Sequence, residues 1–272
     1  MNVIDLECSR CGATMHPDVE TGIGVCEYCG HQVVFDKDSV AEAVIANAVQ
    51  NSSGYDKGKD DLPSAPNPKY VSWIDSGLTD HVMDWKDKAL EAAMREVTGI
   101  TDRDIMLSDV FRMTSLQLNG KGIEKVDALN ELINLQSLVL ESNGITDISG
   151  LTELKNITFL NLYKNKVSDI SGIAHMPLVR DVRLDYNHVS DLSALAELRY
   201  IERLYVYMNW VTDISPLKNL ISLKDLRIDF NPIEDISALK GLKYLESLNL
   251  MQTKVEDLGP LLGLKRLKEI QK

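Results

Sequence analysis

Cysteine is scarce and confined: the chain has four, all within its first 29 residues. Beyond them no thiol is left to act as a nucleophile or to form a disulfide. Long apolar runs are missing too; none approaches the roughly 20 residues that a membrane-crossing helix needs. The opening Met1-Asn2-Val3-Ile4-Asp5-Leu6-Glu7 lacks the basic and apolar segments of a secretory leader. The expectation is therefore a soluble, cytoplasmic protein with no membrane partner. Basic charge is also in deficit, 29 Lys and Arg against 41 Asp and Glu, for a net charge of −12. The deficit is uneven. Residues 1–110 carry 20 acidic and 9 basic side chains (−11), and residues 111–272 carry 21 and 20 (−1). Neither part offers the basic footprint that a nucleic-acid partner requires.

What the chain has instead is repetition. Asn143, Asn165, Asn187, Asn209 and Asn231 recur at one constant interval, i to i+22. Asp147, Asp169, Asp191, Asp213, Asp235 and Asp257 keep the same interval. Between them recur apolar pairs such as Leu138/Leu140, Leu160/Leu162 and Leu226/Ile228. The pattern L-x-L-x-x-N-x-I-x-D-I-S-x-L-x-x-L-x-x-L falls within the roughly 20–29-residue period of leucine-rich repeats. Each L-x-L segment predicts a short strand stacked parallel on its neighbours, leucines inward and x residues on the concave face. The buried Asn amide is expected to bond backbone groups of adjacent coils, and the Asp to cap a 3₁₀ turn on the convex side. Lys121 and Thr253 replace the Asn in the first and last of about seven repeats, as terminal repeats often do.

The cysteines form two C-x-x-C-G turns, Cys8–Gly12 and Cys26–Gly30. Two such turns give a closed tetrahedral S₄ site for one metal, with no position left for a water, so the site reads as structural. Zn²⁺ bound by Cys8, Cys11, Cys26 and Cys29 is the expectation, and the segment resembles a zinc ribbon. Iron remains open, because soft S₄ geometry accepts it as well. His16 and His31 lie nearby but are not needed as ligands. Residues 1–36 carry six carboxylates against Arg10 alone, so this ribbon would repel phosphate.

Ser39-Val40-Ala41-Glu42 is a capping box predicting a helix over 39–50, whose apolar stripe offers a route to self-association. Residues 51–69 combine Gly, Pro and charge and read as a flexible linker. A helical period resumes from Asp84, with Trp85, Ala89, Leu90, Ala93, Met94 and Val97 on one face and Gly99 closing it. A second short turn is expected from Thr101. The run LEAAMREVTGIT…DVFRMTSLQLNGKGI followed by the N-x-I-x-D-I-S-x-L repeat resembles the capped leucine-rich repeats of internalins, over about residues 84–272.

The organisation expected is thus a zinc ribbon (1–36), a short helix and linker (37–70), a helical N-terminal cap (71–113) and leucine-rich repeats (114–272). The fold class is an α/β leucine-rich-repeat solenoid, with a parallel sheet on the concave face and 3₁₀ or irregular turns on the convex side. The zinc ribbon stands as a separate small domain.

The concave face is the candidate site. Phe159, Tyr163, Arg183, Arg203, Tyr205, Tyr207 and Arg227 project there, with Tyr186, Met208, Trp210 and Phe230 just beyond. Tyr, Trp and Arg are the anchors that protein interfaces favour, so the expected partner is a protein or peptide. A competing expectation is that Asp181, Arg203 and Asp225, alternating in sign on neighbouring strands, simply pair with one another. His81, His175 and His188 have no nucleophile or metal partner at a recognisable spacing, and no catalytic residue is predicted. The function expected is a non-enzymatic adaptor. The alternatives are an effector or adhesin exported without a standard leader, and nucleic-acid binding through the ribbon.

Overall fold

The computed structural model describes residues 64–272, together with five short strands between Leu6 and Val34. The chain divides into two units, Met1–Asp61 and Leu62–Lys272. In the first, β1 (Leu6–Glu7) pairs antiparallel with β2 (Thr14–Met15). A second antiparallel sheet joins β3 (Pro17–Asp18), β4 (Ile23–Val25) and β5 (Gln32–Val34). Cys8 and Cys11 fall in sequence between β1 and β2, and Cys26 and Cys29 between β4 and β5. The cysteines themselves and the helix expected over 39–50 lie outside the described residues, as does most of the linker.

The second unit begins with an extended segment leading into α1 (Trp73–Ser76), then α2 (Lys88–Thr98) and α3 (Leu107–Val110). α2 starts later than the sequence pattern implies, after Asp87 and not Asp84. The Asp87 Oδ1 accepts from the Ala89 and Leu90 N–H groups at 2.8 and 3.0 Å. The other oxygen, Oδ2, accepts from the Glu124 and Lys125 N–H groups, both at 2.8 Å. The Asp87 carboxylate thus caps α2 and ties it to the first repeat at once. Partial burial pushes the Asp87 carboxyl up, but these four N–H donors outweigh it and hold the pKa below its usual value. Gly99 closes α2 in the left-handed conformation at φ 69°, and Leu90, Ala93 and Met94 are its buried face. Val97 is half exposed instead of packed. The second turn begins at Leu107 and not at Thr101; Asp109 Oδ2 there accepts from the Met106 N–H at 2.8 Å.

From Ser115 onward each coil contributes one strand to a single parallel sheet: β6 (Ser115–Gln117), β7 (Ser137–Val139), β8 (Phe159–Asn161), β9 (Asp181–Arg183), β10 (Arg203–Tyr205), β11 (Asp225–Arg227), β12 (Ser247–Asn249) and β13 (Glu269–Gln271). The register advances by one full repeat at every step, with Leu204 set between Val182 and Leu226. There are eight strands where the sequence pattern implies about seven. The last, Glu269-Ile270-Gln271, has one apolar residue and so lacks the L-x-L signature. On the opposite side run six 3₁₀ turns among the described residues, from Asp127–Glu131 to Gly259–Leu261. A repeat Asp opens five of the six, as in the bond from the Ser171 N–H to Asp169 Oδ1 at 2.8 Å; Lys125 stands at that position before the first. Gly172 has a steric reason: a Cβ there would lie 2.0 Å from the Ile148 carbonyl oxygen of the coil below.

Between sheet and turns runs one continuous column of Leu, Ile and Val, with Leu138, Leu160, Val182, Leu204 and Leu226 all fully buried. Burial of each such side chain stabilises the stack by about 1.5–3 kcal/mol relative to exposure. Along its edge the asparagines form the expected ladder. Asn187 Nδ2 donates to the Leu162 and Leu184 carbonyls at 2.9 Å, and its Oδ1 accepts from the Val167 N–H at 2.9 Å. One amide therefore joins two coils.

A second pair of asparagines, Asn134 and Asn156, holds the extended chain before α1. Asn134 exchanges two bonds with the Val71 backbone (2.7 and 3.0 Å), and Asn156 exchanges two with the Lys69 backbone (both 2.9 Å). Arg180 reaches the Ala65 carbonyl at 3.5 Å. The end of the stretch that reads in sequence as a linker is thus a strap across three coils.

Candidate protein-binding surface

The outward strand positions do face the concave side, but they form two layers. The lower layer is carboxylate and amide. Asp181, Asp185 and Asp229 are only 2%, 5% and 1% exposed, and Asn161 and Asn249 are buried beside them. The upper layer is guanidinium and ring. The side chains of Arg183, Arg203 and Arg227 remain 40%, 46% and 41% exposed. Alternation along a strand places both kinds of residue on one face without ranking their depth, so this layering is a finding of the structure.

β9 and β11 repeat the same segment, Asp181-x-Arg183-x-Asp185 and Asp225-x-Arg227-x-Asp229, on either side of Arg203-x-Tyr205-x-Tyr207 on and after β10. Tyr205 is the centre. The Arg183 guanidinium lies 5.4 Å from its ring centroid and 5.5 Å from that of Phe159. The Arg227 guanidinium lies 5.8 Å from the Tyr205 centroid and 5.1 Å from that of Tyr207. The Tyr205 hydroxyl donates to Asp225 Oδ2 at 2.5 Å. Burial and this carboxylate together raise the phenol pKa.

The alternating-charge ladder expected from sequence forms in part. Arg203 Nε donates to Asp181 Oδ2 at 2.6 Å, whereas Asp225 takes the tyrosine instead. Several buried groups are left over. Asp181 Oδ1 and Asp229 Oδ1 accept no hydrogen bond from a protein group, and Arg183 Nε donates none. Burial raises the Asp229 carboxyl pKa and pushes Asp185 to about 6 despite a bond from the Tyr207 N–H and two nearby arginines. A charge buried with incomplete pairing destabilises the fold, so these groups do not owe their place to stability.

Along the rim beyond the strands, aromatic rings meet edge to face: Tyr163–Tyr186 at 5.5 Å, Tyr186–Tyr207 at 4.9 Å and Tyr207–Phe230 at 5.3 Å between centroids. The Tyr186 and Tyr207 hydroxyls hydrogen-bond at 2.9 Å; this bond, then burial, raises Tyr207 to about 12. Tyr186, Met208 and Phe230 are each about 40% exposed. They occupy one repeat position whose backbone is left-handed in six successive coils: Ser142, Lys164, Tyr186, Met208, Phe230 and Gln252, at φ 51–57°. The left-handed residue turns the chain so that its N–H continues the inter-strand ladder, as Tyr186 donates to the Tyr207 carbonyl at 2.9 Å. A side chain there costs on the order of 1 kcal/mol or more relative to glycine. Trp210, 60% exposed, stacks flat on His188 at 4.6 Å, a role that no sequence spacing assigns to this histidine.

All eleven residues singled out from sequence, from Phe159 to Phe230, therefore lie on this face or its rim. They fall into a central Arg–aromatic cluster and an aromatic rim. Of the other histidines, His81 makes a surface contact with Glu131 at 3.0 Å. Among the described residues no helix is long and apolar enough to cross a membrane, and no group of three or more His, Cys, Asp or Glu could hold a metal.

A family described as leucine-rich repeats in two copies matches residues 201–241. A comparison with curated protein sequences returns no match. Among solved structures, the chain is similar to an internalin C2 from Listeria monocytogenes: 28% identity and a TM-score of 0.55, covering 78% of this chain and 99% of that one. A leucine-rich-repeat protein of Leptospira interrogans shares 21% identity at a TM-score of 0.50, covering 61% of this chain and 50% of its own, which shows the fold alone. Residues 114–272 are a leucine-rich-repeat solenoid with a helical N-terminal cap, similar to the internalin fold.

Proposed function

We propose that the chain is a non-enzymatic interaction module, an adaptor that holds a protein or peptide across the concave face and its aromatic rim. The observation that carries this reading is the left-handed row. Six coils carry conformational strain at the same position, glycine would relieve it, and three consecutive coils put Tyr, Met and Phe there, half exposed. Trp210 and Met251, also exposed, add to the apolar side chains of this end of the coils, and exposed apolar surface of this kind marks interfaces. The buried, poorly paired carboxylates beneath add a second cost that the fold alone does not explain.

Cys8, Cys11, Cys26 and Cys29 hold one structural Zn²⁺ in the same proposal. The antiparallel pairings β1–β2 and β4–β5 support it, since each cysteine pair falls between two paired strands. Four thiolates leave no open coordination position, so the ion's contribution is folding energy for the first unit. A reducing cytoplasm suits such thiolates.

The test is affinity capture from a lysate of the source organism, comparing wild type with a Tyr186→Ser, Met208→Ser, Phe230→Ser variant. Serine already occupies this position at Ser142, so the variant is expected to fold. A protein retained by wild type and lost by the variant supports the site. Identical captures from both remove it.

A further inference from the structure

The depth order of the concave face fixes the charge that a partner should present. Asp181, Asp185 and Asp229 are sealed below, the partly exposed Asp225 is taken up by the Tyr205 hydroxyl, and the guanidiniums lie on top. Arg183 and Arg227 place their guanidinium carbons over aromatic rings but commit few of their donors to the protein. Arg227 has one long contact, 3.5 Å to Asp229 Oδ2, and the nearest carboxylate oxygen to Arg183 Nε is 3.6 Å away. A guanidinium carries five N–H donors in a rigid fork suited to a carboxylate, so each presents an open fork to the face. The two sit on strands separated by β10, which at about 4.8 Å per strand places them about 10 Å apart. Each lies over two rings, which favours its placement before any partner arrives.

Building on the interaction reading above, we infer that the concave face recognises an acidic peptide segment, with Arg183 and Arg227 each taking one carboxylate on either side of Tyr205. A spacing of about 10 Å matches acidic residues three apart in a polyproline II conformation, at about 3.1 Å per residue and three residues per turn. Apolar residues of the same segment lie along Tyr186, Met208 and Phe230. The sealed carboxylates keep the arginines in place without competing for the partner, because a cationic partner cannot reach Asp181 or Asp229 unless the upper layer moves.

The probe is a phage-displayed library of random dodecapeptides panned on the full chain at low salt, followed by fluorescence anisotropy on the selected peptides. The expected pool is enriched in acidic residues, with pairs about three apart. Its members should bind at least 10-fold more weakly to an Arg183→Gln, Arg227→Gln variant, and more weakly to wild type as salt rises. Because those substitutions uncover buried carboxylates, a second variant, Arg183→Lys with Arg227→Lys, keeps the charge but removes the fork; a 3-fold or greater loss is expected there. A pool with no acidic excess, or one that binds both variants as tightly as wild type, overturns the inference. If that pool still loses binding in the Tyr186→Ser, Met208→Ser, Phe230→Ser variant, the interaction reading stands and only the acidic specificity falls. No enrichment at all removes both.

Discussion

Two rows of buried polar groups lie along the same sheet and are treated in opposite ways. In the asparagine ladder the amides are fully paired: Asn209 donates to the Leu184 and Val206 carbonyls and accepts from the Val189 N–H, each within 3.0 Å. In the concave layer two carboxylate oxygens and a guanidinium nitrogen have no protein hydrogen bond. The ladder holds coil to coil, and satisfied buried groups of this kind favour one structure over alternatives. The concave layer lowers stability. Its persistence beside a fully paired ladder separates what the fold needs from what the surface is for.

The comparison can be broken most forcefully at the ladder. Asn187→Ala strands two backbone carbonyls and an N–H at the joint between coils, and should cost about 2–4 kcal/mol, read as a lower chemical-denaturation midpoint. A loss below about 1 kcal/mol would erase the distinction. The matching change in the concave layer should go the other way. Asp185 has a folded pKa of about 6 against a usual 3.8, so its ionisation opposes folding. Stability from this group is fully present below pH 3.8 and is lost as pH rises through 6. Asp185→Asn should therefore stabilise the repeats by on the order of 1–3 kcal/mol at pH 7, and by much less at pH 4.5. Thermal melts of both proteins at the two pH values check the sign; an Asp185→Asn protein that melts lower at pH 7 would reverse the assignment. Gly172→Ala tests the convex side. Its Cβ would meet the Ile148 carbonyl, so a loss of about 1–3 kcal/mol is expected. The rim should act mainly on binding: the Tyr186→Ser, Met208→Ser, Phe230→Ser variant loses three ring contacts and a hydroxyl bond, should lower stability by about 1–3 kcal/mol without unfolding the repeats, and should lose partner capture. Metal analysis stands apart from this scale; about one zinc per chain is expected, and iron–thiolate bands in the spectrum would refute it.

The ladder is legible in sequence because an amide recurring once per repeat, at a position flanked by buried leucines, has backbone groups of the next coil as its natural partners. The strand positions follow from the same period, and so do the Asp-opened turns. Four features are not legible. The left-handed row spells Ser, Lys, Tyr, Met, Phe and Gln, residues with no common propensity, since the conformation is imposed by the ladder around them. The depth of Asp181 and Asp229 depends on which long side chains fold over them, which a period of two does not encode. The strap is hidden because Pro-rich, polar chain reads as linker. Its only signal is Asn134 and Asn156, a second pair at the repeat spacing that lies outside the repeat consensus. The start of α2 is ambiguous in sequence because Asp84 and Asp87 are the same residue type, and only the contact of Asp87 with Glu124 and Lys125 distinguishes them.

The strap also gives the solenoid a mechanical asymmetry. A stack of coils joined only to its neighbours behaves like a spring, free to stretch or bend at every joint. Ala65, Lys69 and Val71 are tied to Arg180, Asn156 and Asn134, on three successive coils. Opening the gap between those coils would strain or break these ties as well as the contacts between the coils themselves. Among the described residues no such tie crosses the coils of β11 to β13. The bracing is therefore concentrated on the coils that lead into β7, β8 and β9, the part of the sheet that carries Phe159 and Arg183.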